Sequence, residues 1–432
     1  MLNRKVILLF IATIIFACGV ILWYFFKADK AANPSIATPV NPFGQAESRP
    51  QGEFIQRNIT PTRTSDVENE RIPASERVLI QVWDKPVGGY AFATREIIVE
   101  GTSTPPTSTS TPRQAPKPIK KTVEYLLFVD RITGHIYGYN KESAAPFQIT
   151  NTTIPGVYDA YILQNGTKVF MRYAYGDTIK TITANIPSFI EGADPRPLTG
   201  QQTLPDNVSS FAVSASGNAY SYLLPNLSGS SVYSFNSKGT VSVSSSPLKE
   251  WTLTYGGETA YMFNKPAAYL EGSVFSLPTK EYIVGGKTGL MALPNPQGDR
   301  TLASMWSSSG LATFISSKKT GLSVLEFRTL ASKCVWMDSV QLLCGIPSSV
   351  PSGSEGLPDD WFQGTVSFSD DVYLVNADSG AVTGLLNLAE TPGNPFDLIK
   401  PHINKTNSSF VFTNKEDGSL WLVNMNNLIS SP

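Results

Sequence analysis

From residue 77 onward, one pattern of apolar and polar positions repeats along the chain. A short apolar run is followed by a polar turn and then by a second run that contains an aliphatic–aromatic pair. Runs rich in Val, Ile, Tyr and Phe and bounded by Gly, Asn, Asp and Ser predict β-strands joined by turns. The clearest instances are YLLFVDRITGHIYGYN at 125–140, KVFMRYAYGDTIKTI at 168–182, NAYSYLLPNLSGSSVYSFN at 218–236, TAYMFNKPAAYLEGSVFSLP at 259–278, LATFISSKKTGLSVLEF at 311–327, FSDDVYLVNADSG at 368–380 and SSFVFTNKEDGSLWLVNM at 408–425.

The spacing of the repeat indicates the kind of fold. One position in the second strand of each unit marks the period: Ile136, Ile179, Val232, Val274, Val324, Val372 and Leu420. Successive marks are 43, 53, 42, 50, 48 and 48 residues apart. A period of about 40–50 residues built from short antiparallel strands is typical of β-propellers, whose blades are four-stranded sheets. We therefore predict an all-β fold, a β-propeller of about seven four-stranded blades.

Each blade also needs an innermost and an outermost strand. Candidates for innermost strands are VYDAYIL at 157–163, SSFAVS at 209–214, WTLTY at 251–255 and TLASMW at 301–306. The last unit ends near Met425 without an outer strand, whereas RVLIQVWD at 77–84 has no unit of its own before it. We predict that this N-terminal run closes the last blade, because closure removes exposed sheet edges. The propeller is predicted to span 77–427, followed by a tail at 428–432.

The N-terminus has a different pattern. Residues 6–26 carry no charge and are long enough to cross a bilayer core of about 30 Å as a helix. Arg4 and Lys5 precede this run, so the positive-inside rule puts residues 1–5 in the cytoplasm and the bulk of the chain outside it. We predict a signal anchor and a single-pass membrane protein. A cleaved signal peptide, or lipidation at Cys18, is the alternative.

Two segments have the composition of disordered chain. Residues 27–76 are polar and contain several prolines, which predicts a flexible tether of roughly 40 Å. Residues 101–121, GTSTPPTSTSTPRQAPKPIKK, lie between two strand-like runs and predict a long disordered loop inside the propeller. The loop is basic, so contact with anionic lipid headgroups or wall polymers is one interpretation. A solvated loop is the simpler one.

Two cysteines lie in the predicted sixth blade. Cys334 and Cys344 flank a run that predicts a β-hairpin turning near Asp338 and Ser339. The two cysteines would then face each other across antiparallel strands, close enough for a disulfide. Disulfides persist in oxidising compartments, which agrees with a location outside the cytoplasm. We predict a Cys334–Cys344 disulfide; two buried free thiols are the alternative.

Composition and motifs give little support for catalysis or nucleic-acid binding. Charged residues make up 16% of the chain and the net charge is −1, so no nucleic-acid partner is expected. The two histidines, His135 and His402, lie in different repeats, which leaves no pattern for a zinc site or a Ser-His-Asp triad. GGKTG at 285–289 resembles the end of a phosphate-binding loop, but Glu281 stands where glycine is required. The sequence predicts no catalytic residue, metal site or cofactor.

Paired carboxylates and one loop are the remaining candidates for function. Adjacent aspartates occur at 359–360 and 370–371, and two carboxyl groups across a pocket can support glycoside hydrolysis. The loop LPDDWFQG at 357–364 carries large aromatic residues, which are common binding anchors on loops held by a sheet. The alternative is that Trp361 packs against its own blade. The candidate binding surface consists of Asp359, Asp360, Trp361 and Phe362.

The strands, turns and period resemble the β-propellers of the TolB-like and WD40-like superfamilies. Segments such as VDRITGHIYGYN, QITNTTIPGVYDAYI and LPDDWFQG are also similar to a group of uncharacterised bacterial propeller proteins with a single membrane span. This resemblance covers about residues 77–425 and implies a fold and an anchored topology. It implies no active-site residues, and the diagnostic dipeptides of true WD40 repeats are missing.

The sequence indicates a class of protein and a candidate binding surface, but no reaction. We predict an extracytoplasmic scaffold, at the cell surface or in the periplasm, that binds a protein or glycan partner through one face of the propeller. It is attached to the membrane through residues 6–26. One alternative is a hydrolase that acts on envelope polymers with carboxylates near the propeller channel. Another is a platform for envelope assembly.

Overall fold

The computed structural model describes residues 62–63, 77–99, 119–142, 145–236, 238–239, 241–351, 356–388 and 395–429. The predicted anchor at 6–26 lies outside these residues, as do almost all of the predicted tether and residues 101–118 of the predicted loop. Within the described ranges, no helix is both long and apolar enough to span a membrane.

The described strands form seven sheets, antiparallel except for the pair of β1 and β2, and each sheet is one blade of a β-propeller. Blade 1 comprises β3 (Val87–Val99), β4 (Ile119–Asp130), β5 (Ile136–Tyr139) and β6 (Phe147–Gln148). Blade 2 comprises β7 (Val157–Leu163), β8 (Lys168–Tyr175), β9 (Thr178–Asn185) and β10 (Thr199–Thr203). Blade 3 comprises β11 (Ser210–Val213), β12 (Tyr220–Asn226), β13 (Gly229–Phe235) and β14 (Val241–Ser246). Blade 4 comprises β15 (Trp251–Gly256), β16 (Thr259–Asn264), β17 (Glu271–Ser276) and β18 (Tyr282–Thr288).

The remaining blades complete the circle. Blade 5 comprises β19 (Met291–Pro294), β20 (Arg300–Ser307), β21 (Gly310–Ser317) and β22 (Gly321–Val324). Blade 6 comprises β23 (Cys334–Trp336), β24 (Gln341–Pro347), β25 (Asp370–Asn376) and β26 (Val382–Leu386). Blade 7 comprises β27 (Leu398–Ile403), β28 (Ser409–Asn414) and β29 (Leu420–Asn424), joined by β2 (Leu79–Trp83) and β1 (Thr62–Arg63). The described residues also form two short α-helices, α1 (Asp359–Gln363) and α2 (Asn426–Ile429).

The N-terminal strand closes the ring, as predicted from the sequence. β2 pairs with β29 in antiparallel register, with Leu79 opposite Val423 and Ile80 opposite Leu422. β1 adds a parallel strand outside β2. Hydrogen bonds between strands far apart in sequence thus tie the first described strands to the last blade, and the outer edge of β29 is paired.

Burial explains why the strands are so apolar. The middle strands of a blade are covered on both faces by neighbouring blades, so they read as nearly continuous apolar runs. Every residue of β28 and β29 is buried. Outer strands such as β10 and β14 are largely exposed and consist mostly of small polar residues. Tight turns join the strands: Gly217 (φ +70) and Gly257 (φ +59) supply the left-handed backbone that the predicted hairpin turns require.

Three sequence predictions need correction. TLASMW at 301–306 belongs to β20, the second strand of blade 5, and the innermost strand is β19. Val324, one of the seven positions that mark the period, therefore lies in the outermost strand of blade 5. The other six positions lie in the third strands of their blades. The predicted loop at 101–121 ends too late, because β4 starts at Ile119 and pairs with β3. The predicted tail at 428–432 starts too early, because Leu428 lies in α2 and is buried.

The antiparallel strands define two ends of the propeller. We call the end at which β2 begins the entry end; the turns between first and second strands and between third and fourth strands lie there. At the far end lie the turns between second and third strands and the connections from one blade to the next. α1 belongs to the far end, because it lies in the connection between β24 and β25.

Candidate functional site

The predicted binding loop folds into α1 at the far end. Asp359 and Asp360 occupy the first turn of the helix, where negative charge is favourable, and Gly364 ends it with φ +79. Oδ2 of Asp360 accepts a hydrogen bond from the backbone N–H of Gly356 at 2.8 Å. Oδ2 of Asp359 accepts one from the backbone N–H of Ala268 at 2.9 Å. The two acids therefore hold the helix in place, and α1 reaches from blade 6 to a turn of blade 4.

Trp361 and Phe362 differ in burial: the side chain of Trp361 is buried and that of Phe362 is exposed. Trp361 is 5% exposed, and its indole N–H donates to the Asp397 carboxylate at 2.9 and 3.1 Å. Trp361 is thus a packing residue beneath the helix, which is the alternative that the sequence left open for it. A buried carboxylate needs donors, which accounts for the inward orientation of the indole. Phe362 is 53% exposed and remains available to a partner.

An ionic cluster lies beneath Trp361. The Lys333 ammonium donates to Oδ2 of Asp370 at 2.5 Å and to Asp397. All three side chains are 0% exposed. Backbone N–H groups of Leu398 and Phe368 donate to Asp370 and Asp397 at 2.8 and 3.1 Å. Because Lys333 directly precedes blade 6, Asp370 lies in that blade and Asp397 directly precedes blade 7, the cluster joins the two blades.

Burial has the largest effect on the protonation of Asp370. Burial raises the pKa of Asp370 to about 6, although the Lys333 ammonium beside it acts in the opposite direction. The sequence had indicated Asp370 only as one of two adjacent aspartates, and it did not point to Lys333 or Asp397. Asp370 and Asp397 lie 37 and 64 positions after Lys333 in the sequence. A local sequence motif cannot link residues that are so far apart along the chain.

A second ionic cluster joins the innermost strands β7 and β27 to Arg172 in β8. The Asp159 carboxylate in β7 accepts from Arg172 at 2.9 Å, Tyr161 at 2.9 Å and Lys400 at 3.1 Å. Burial by itself would raise the pKa of Asp159, but the Lys400 and Arg172 cations outweigh burial and hold the pKa below its ordinary value. Lys400 also donates to the backbone carbonyl of Gly88 at 3.0 Å. The cluster connects blades 1, 2 and 7 near the closure.

The two histidines lie in separate settings. Nε2 of His135 is 3.0 Å from the Thr153 hydroxyl, and its Nδ1 is 3.0 Å from the Gln148 amide. His402 stacks on Phe92, and burial lowers the pKa of His402 to about 4, so its ring is neutral at pH 7. Within the described ranges, no group of three His, Cys, Asp or Glu side chains has the arrangement of a metal site.

A cleft of about 210 Å³ opens where blade 1 meets blade 7. Lys121 pairs with Glu142 at 2.9 Å, and Glu124 accepts from the Asn404 amide at 2.7 Å. The Lys141 ammonium donates to the Ser408 carbonyl at 3.0 Å. These polar groups are thus satisfied, whereas the Tyr139 hydroxyl is buried and has no hydrogen-bond partner among the described residues. The floor of the cleft is apolar and includes Leu126, Tyr139 and Leu422.

Large apolar side chains are exposed mainly at the far end. We call this set the apolar rim; it comprises Ile132, Tyr175, Leu227, Leu248, Tyr269, Leu270 and Phe362. Its members lie on far-end turns or connections contributed by blades 1, 2, 3, 4 and 6. Within the described part of the chain, the entry end exposes Ile190, together with Val241 and Tyr282 at the starts of two outer strands. The far end therefore exposes more large apolar side chains than the entry end.

The cysteine pair has the arrangement expected from the hairpin. Cys334 lies opposite Cys344 in the β23–β24 pair, and the two sulfur atoms form a disulfide at 2.12 Å. The bridge remains a prediction for the protein in solution. Mass spectrometry of a non-reduced digest should find the peptides of Cys334 and Cys344 linked, whereas two separately alkylated thiols would contradict it.

Comparisons with known proteins identify no family. No family model matches the chain, and no curated protein matches it significantly. Similar solved structures include hydrazine synthase from Kuenenia stuttgartiensis, at 14% identity and a TM-score of 0.43, covering 66% of this chain and 82% of that one. The tricorn protease has 9% identity and a TM-score of 0.45, covering 71% and 32%. Oligogalacturonate lyase from Vibrio parahaemolyticus has 9% identity and a TM-score of 0.44, covering 69% and 86%. Likeness at this level concerns the fold alone and indicates no activity.

Proposed function

We propose that this protein is a membrane-anchored, extracytoplasmic scaffold that binds a partner protein through the apolar rim. The observation that carries the proposal is the uneven distribution of exposed apolar side chains, which gather on far-end turns of five blades. Exposed apolar clusters on soluble domains commonly mark interaction sites. Residues at the centre of such sites are often aromatic or long aliphatic, as they are here.

The part of the apolar rim around α1 is held in place by hydrogen bonds. The hydrogen bond from Ala268 to Asp359 holds the helix against the turn that carries Tyr269 and Leu270. Trp361 fixes the helix from below through the Asp397 carboxylate. Phe362 is therefore presented on a supported element that is hydrogen-bonded to the turn with two other exposed apolar residues. Such preorganisation lowers the entropy that a partner must offset on binding.

A protein partner fits the rim better than a glycan does. Glycans carry many hydroxyl groups, and their recognition requires well-placed polar side chains. Five of the seven rim residues are purely hydrocarbon: Ile132, Leu227, Leu248, Leu270 and Phe362. Burying them against a partner's apolar surface contributes about 25 cal/mol per Å². A platform for envelope assembly would be one use of such a surface.

The anchored, extracytoplasmic part of the proposal is supported by the sequence. Residues 6–26 have the length and apolar character of a span, and basic residues precede them. A Cys334–Cys344 disulfide would suit an oxidising compartment. The chain enters β2 at the entry end, so the rim lies on the opposite side from the point where the predicted tether joins the propeller. Removing residues 6–26 should release the protein from membrane pellets, and retention there would contradict the anchor.

The hydrolase alternative is not favoured. A glycoside hydrolase needs two carboxyl groups that reach the substrate from either side. Asp370 and Asp397 approach the same ammonium group, but both are 0% exposed and are bound to Lys333 and to backbone N–H groups. Asp359 and Asp360 cap and tether a helix. None of these carboxyls is free to meet a polymer.

Site-specific photo-cross-linking tests the proposed surface in the native membrane. A photoreactive phenylalanine analogue replaces Leu270 in the rim, and the matched control replaces Ile190 at the entry end. We expect a discrete protein adduct from position 270 only, and a yield reduced at least about fivefold by Phe362→Asp. Equal adducts from both positions, or none from position 270, would contradict the rim as a docking surface. Adducts with lipid or glycan only would replace the protein partner.

A further inference from the structure

The seven outermost strands differ in how their free edges are protected. An unpaired strand edge offers open N–H and C=O groups to any extended chain, and proteins usually block such edges. The usual devices are very short strands, bulges, charged residues or a covering segment. In this propeller, six of the seven described outermost strands use one or more of these devices, and β14 of blade 3 uses none.

The six protected edges can be assigned individually. β6 has only two residues and β22 only four. β10 and β26 contain one register shift each, and β18 contains two as well as Lys287. β2 is covered by β1. Bulges bend a strand and interrupt its regular row of donors and acceptors, so they hinder pairing with another chain.

β14 is long, regular and uncharged. Its six residues, VSVSSS at 241–246, pair with β13 in continuous register without a bulge. The strand contains no Lys, Arg, Asp, Glu or Pro. Val241 is 46% and Val243 57% exposed. Within the described residues, no further strand pairs with its outer side.

One face of this edge continues an aromatic surface. Val243 lies opposite Tyr233, which lies opposite Tyr222; the two tyrosine rings stack at 5.1 Å. The neighbouring row runs from Val241 through Phe235 to Tyr220, and those two rings stack at 4.6 Å. Directly opposed residues share one face of a sheet, so both rows reach the open edge on the same side.

We propose that β14 is a strand-addition site that binds an extended peptide segment of a partner protein, with apolar residues at alternate positions. Main-chain hydrogen bonds to β14 would supply affinity, and the rows ending in Val241 and Val243 would select β-branched or aromatic side chains. On the opposite face, the alternating residues are Ser242, Ser244 and Ser246, which leave room for small polar side chains. This protein already accepts an added strand at one edge, because β1 pairs with β2 outside blade 7. The site lies on the side of blade 3 and does not depend on the apolar rim.

The test uses the full-length protein in detergent and a labelled peptide that alternates valine and threonine, with two terminal lysines for solubility. Binding is followed by fluorescence anisotropy. We expect Val243→Lys to weaken binding at least about tenfold, because a charged edge residue opposes pairing. The matched control, Val324→Lys, changes an equally exposed valine on the short outer strand of blade 5 and should alter affinity less than about twofold.

Two further measurements separate the alternatives. A peptide N-methylated on alternate residues cannot pair as a strand and should not bind, while Phe362→Asp in the rim should leave peptide binding unchanged. Ser242→Lys provides a second edge variant if Val243→Lys does not fold. No binding by the unmodified protein, or equal loss in Val243→Lys and Val324→Lys, would overturn the site. A dimer that Val243→Lys dissociates, with no peptide binding, would replace the peptide by a second copy of the chain.

Discussion

Two ionic clusters of this propeller use the same side-chain chemistry in different surroundings. In the first, Lys333 meets Asp370 and Asp397, and all three side chains are 0% exposed. In the second, Lys400 and Arg172 meet Asp159, and the Lys400 side chain is 46% exposed. Water can replace a lost partner in the second cluster and cannot do so in the first. Burial therefore decides how much each contact contributes to stability. The first cluster joins blades 6 and 7, and the second joins blades 1, 2 and 7.

The largest expected effect is the loss of the buried ammonium. Lys333→Met leaves Asp370 buried without a counter-charge and leaves Asp397 only the Lys415 ammonium, 3.9 Å away, so we expect a loss of about 3–5 kcal/mol in the free energy of unfolding at pH 7. Urea denaturation followed by tryptophan fluorescence measures it. Lys400→Met is the matched control in the Asp159 cluster. Equal losses in the two variants would mean that burial is not the deciding difference.

The second effect is the dependence of stability on pH. The pKa of Asp370 is raised from an ordinary value of 3.8 to about 6 in the folded protein. Between these values the folded state binds more protons than the unfolded state, so this residue's contribution to stability falls as pH rises from about 4 to about 6. The effect is roughly 2–3 kcal/mol. Asp159, whose pKa is lowered, contributes in the opposite sense, and its contribution is lost as pH falls below about 4.

Asp370→Asn isolates that pH effect. The difference in unfolding free energy between this variant and the unmodified protein should change between pH 4 and pH 6 and be constant from about pH 7 to 8. Denaturant titrations at five or six pH values in this range measure it. A difference that is independent of pH would show that Asp370 remains ionised throughout.

A smaller effect is expected for the tryptophan above the buried cluster. Trp361→Phe keeps an aromatic ring but removes the N–H that binds Asp397. A hydrogen bond to a charged group contributes about 1.5–3 kcal/mol, and part of this should remain because Phe368 still donates to Asp397. We expect a loss of about 1–2 kcal/mol in urea denaturation. A loss as large as that of Lys333→Met would assign the role of Trp361 to packing.

The smallest effect is expected in the Asp159 cluster. Lys400→Met removes an ammonium that is partly exposed, and Arg172 still neutralises Asp159. Contacts of this kind contribute at most about 1 kcal/mol. The same denaturation measurement provides the value, and raising the salt concentration should reduce it further. A loss above about 2 kcal/mol would mean that the Asp159 cluster is as closed as the Lys333 cluster.

Most of the fold could be predicted from the sequence because strands and turns leave local signals. The error in blade 5 shows where such signals fail. β19 has four residues and ends in Pro294, so its sequence is a weak strand candidate beside TLASMW. Its place as the innermost strand depends on pairing with β20, in which Met291 lies opposite Ser304. Pairing across a turn overrode local propensity.

The candidate site was predictable only in part. The sequence pointed to a short loop carrying aromatic residues, but it could not separate the buried Trp361 from the exposed Phe362. Trp361 turns inward because the Asp397 carboxylate lies beneath it, and Asp397 comes from the connection to the next blade. The apolar rim was not predicted either, since its members are single residues in turns that are far apart along the chain.

By itself, the sequence determined the strand-and-turn repeat, the number of blades and the strand that closes the last one. These features depend on side-chain patterns within each unit and on the residues left over at the two chain ends. Only the tertiary structure decided which charged side chains are buried, which aromatic ring faces solvent and which strand edge is left without a protecting feature. Burial and strand register depend on neighbours from other blades, and those neighbours are distant in sequence.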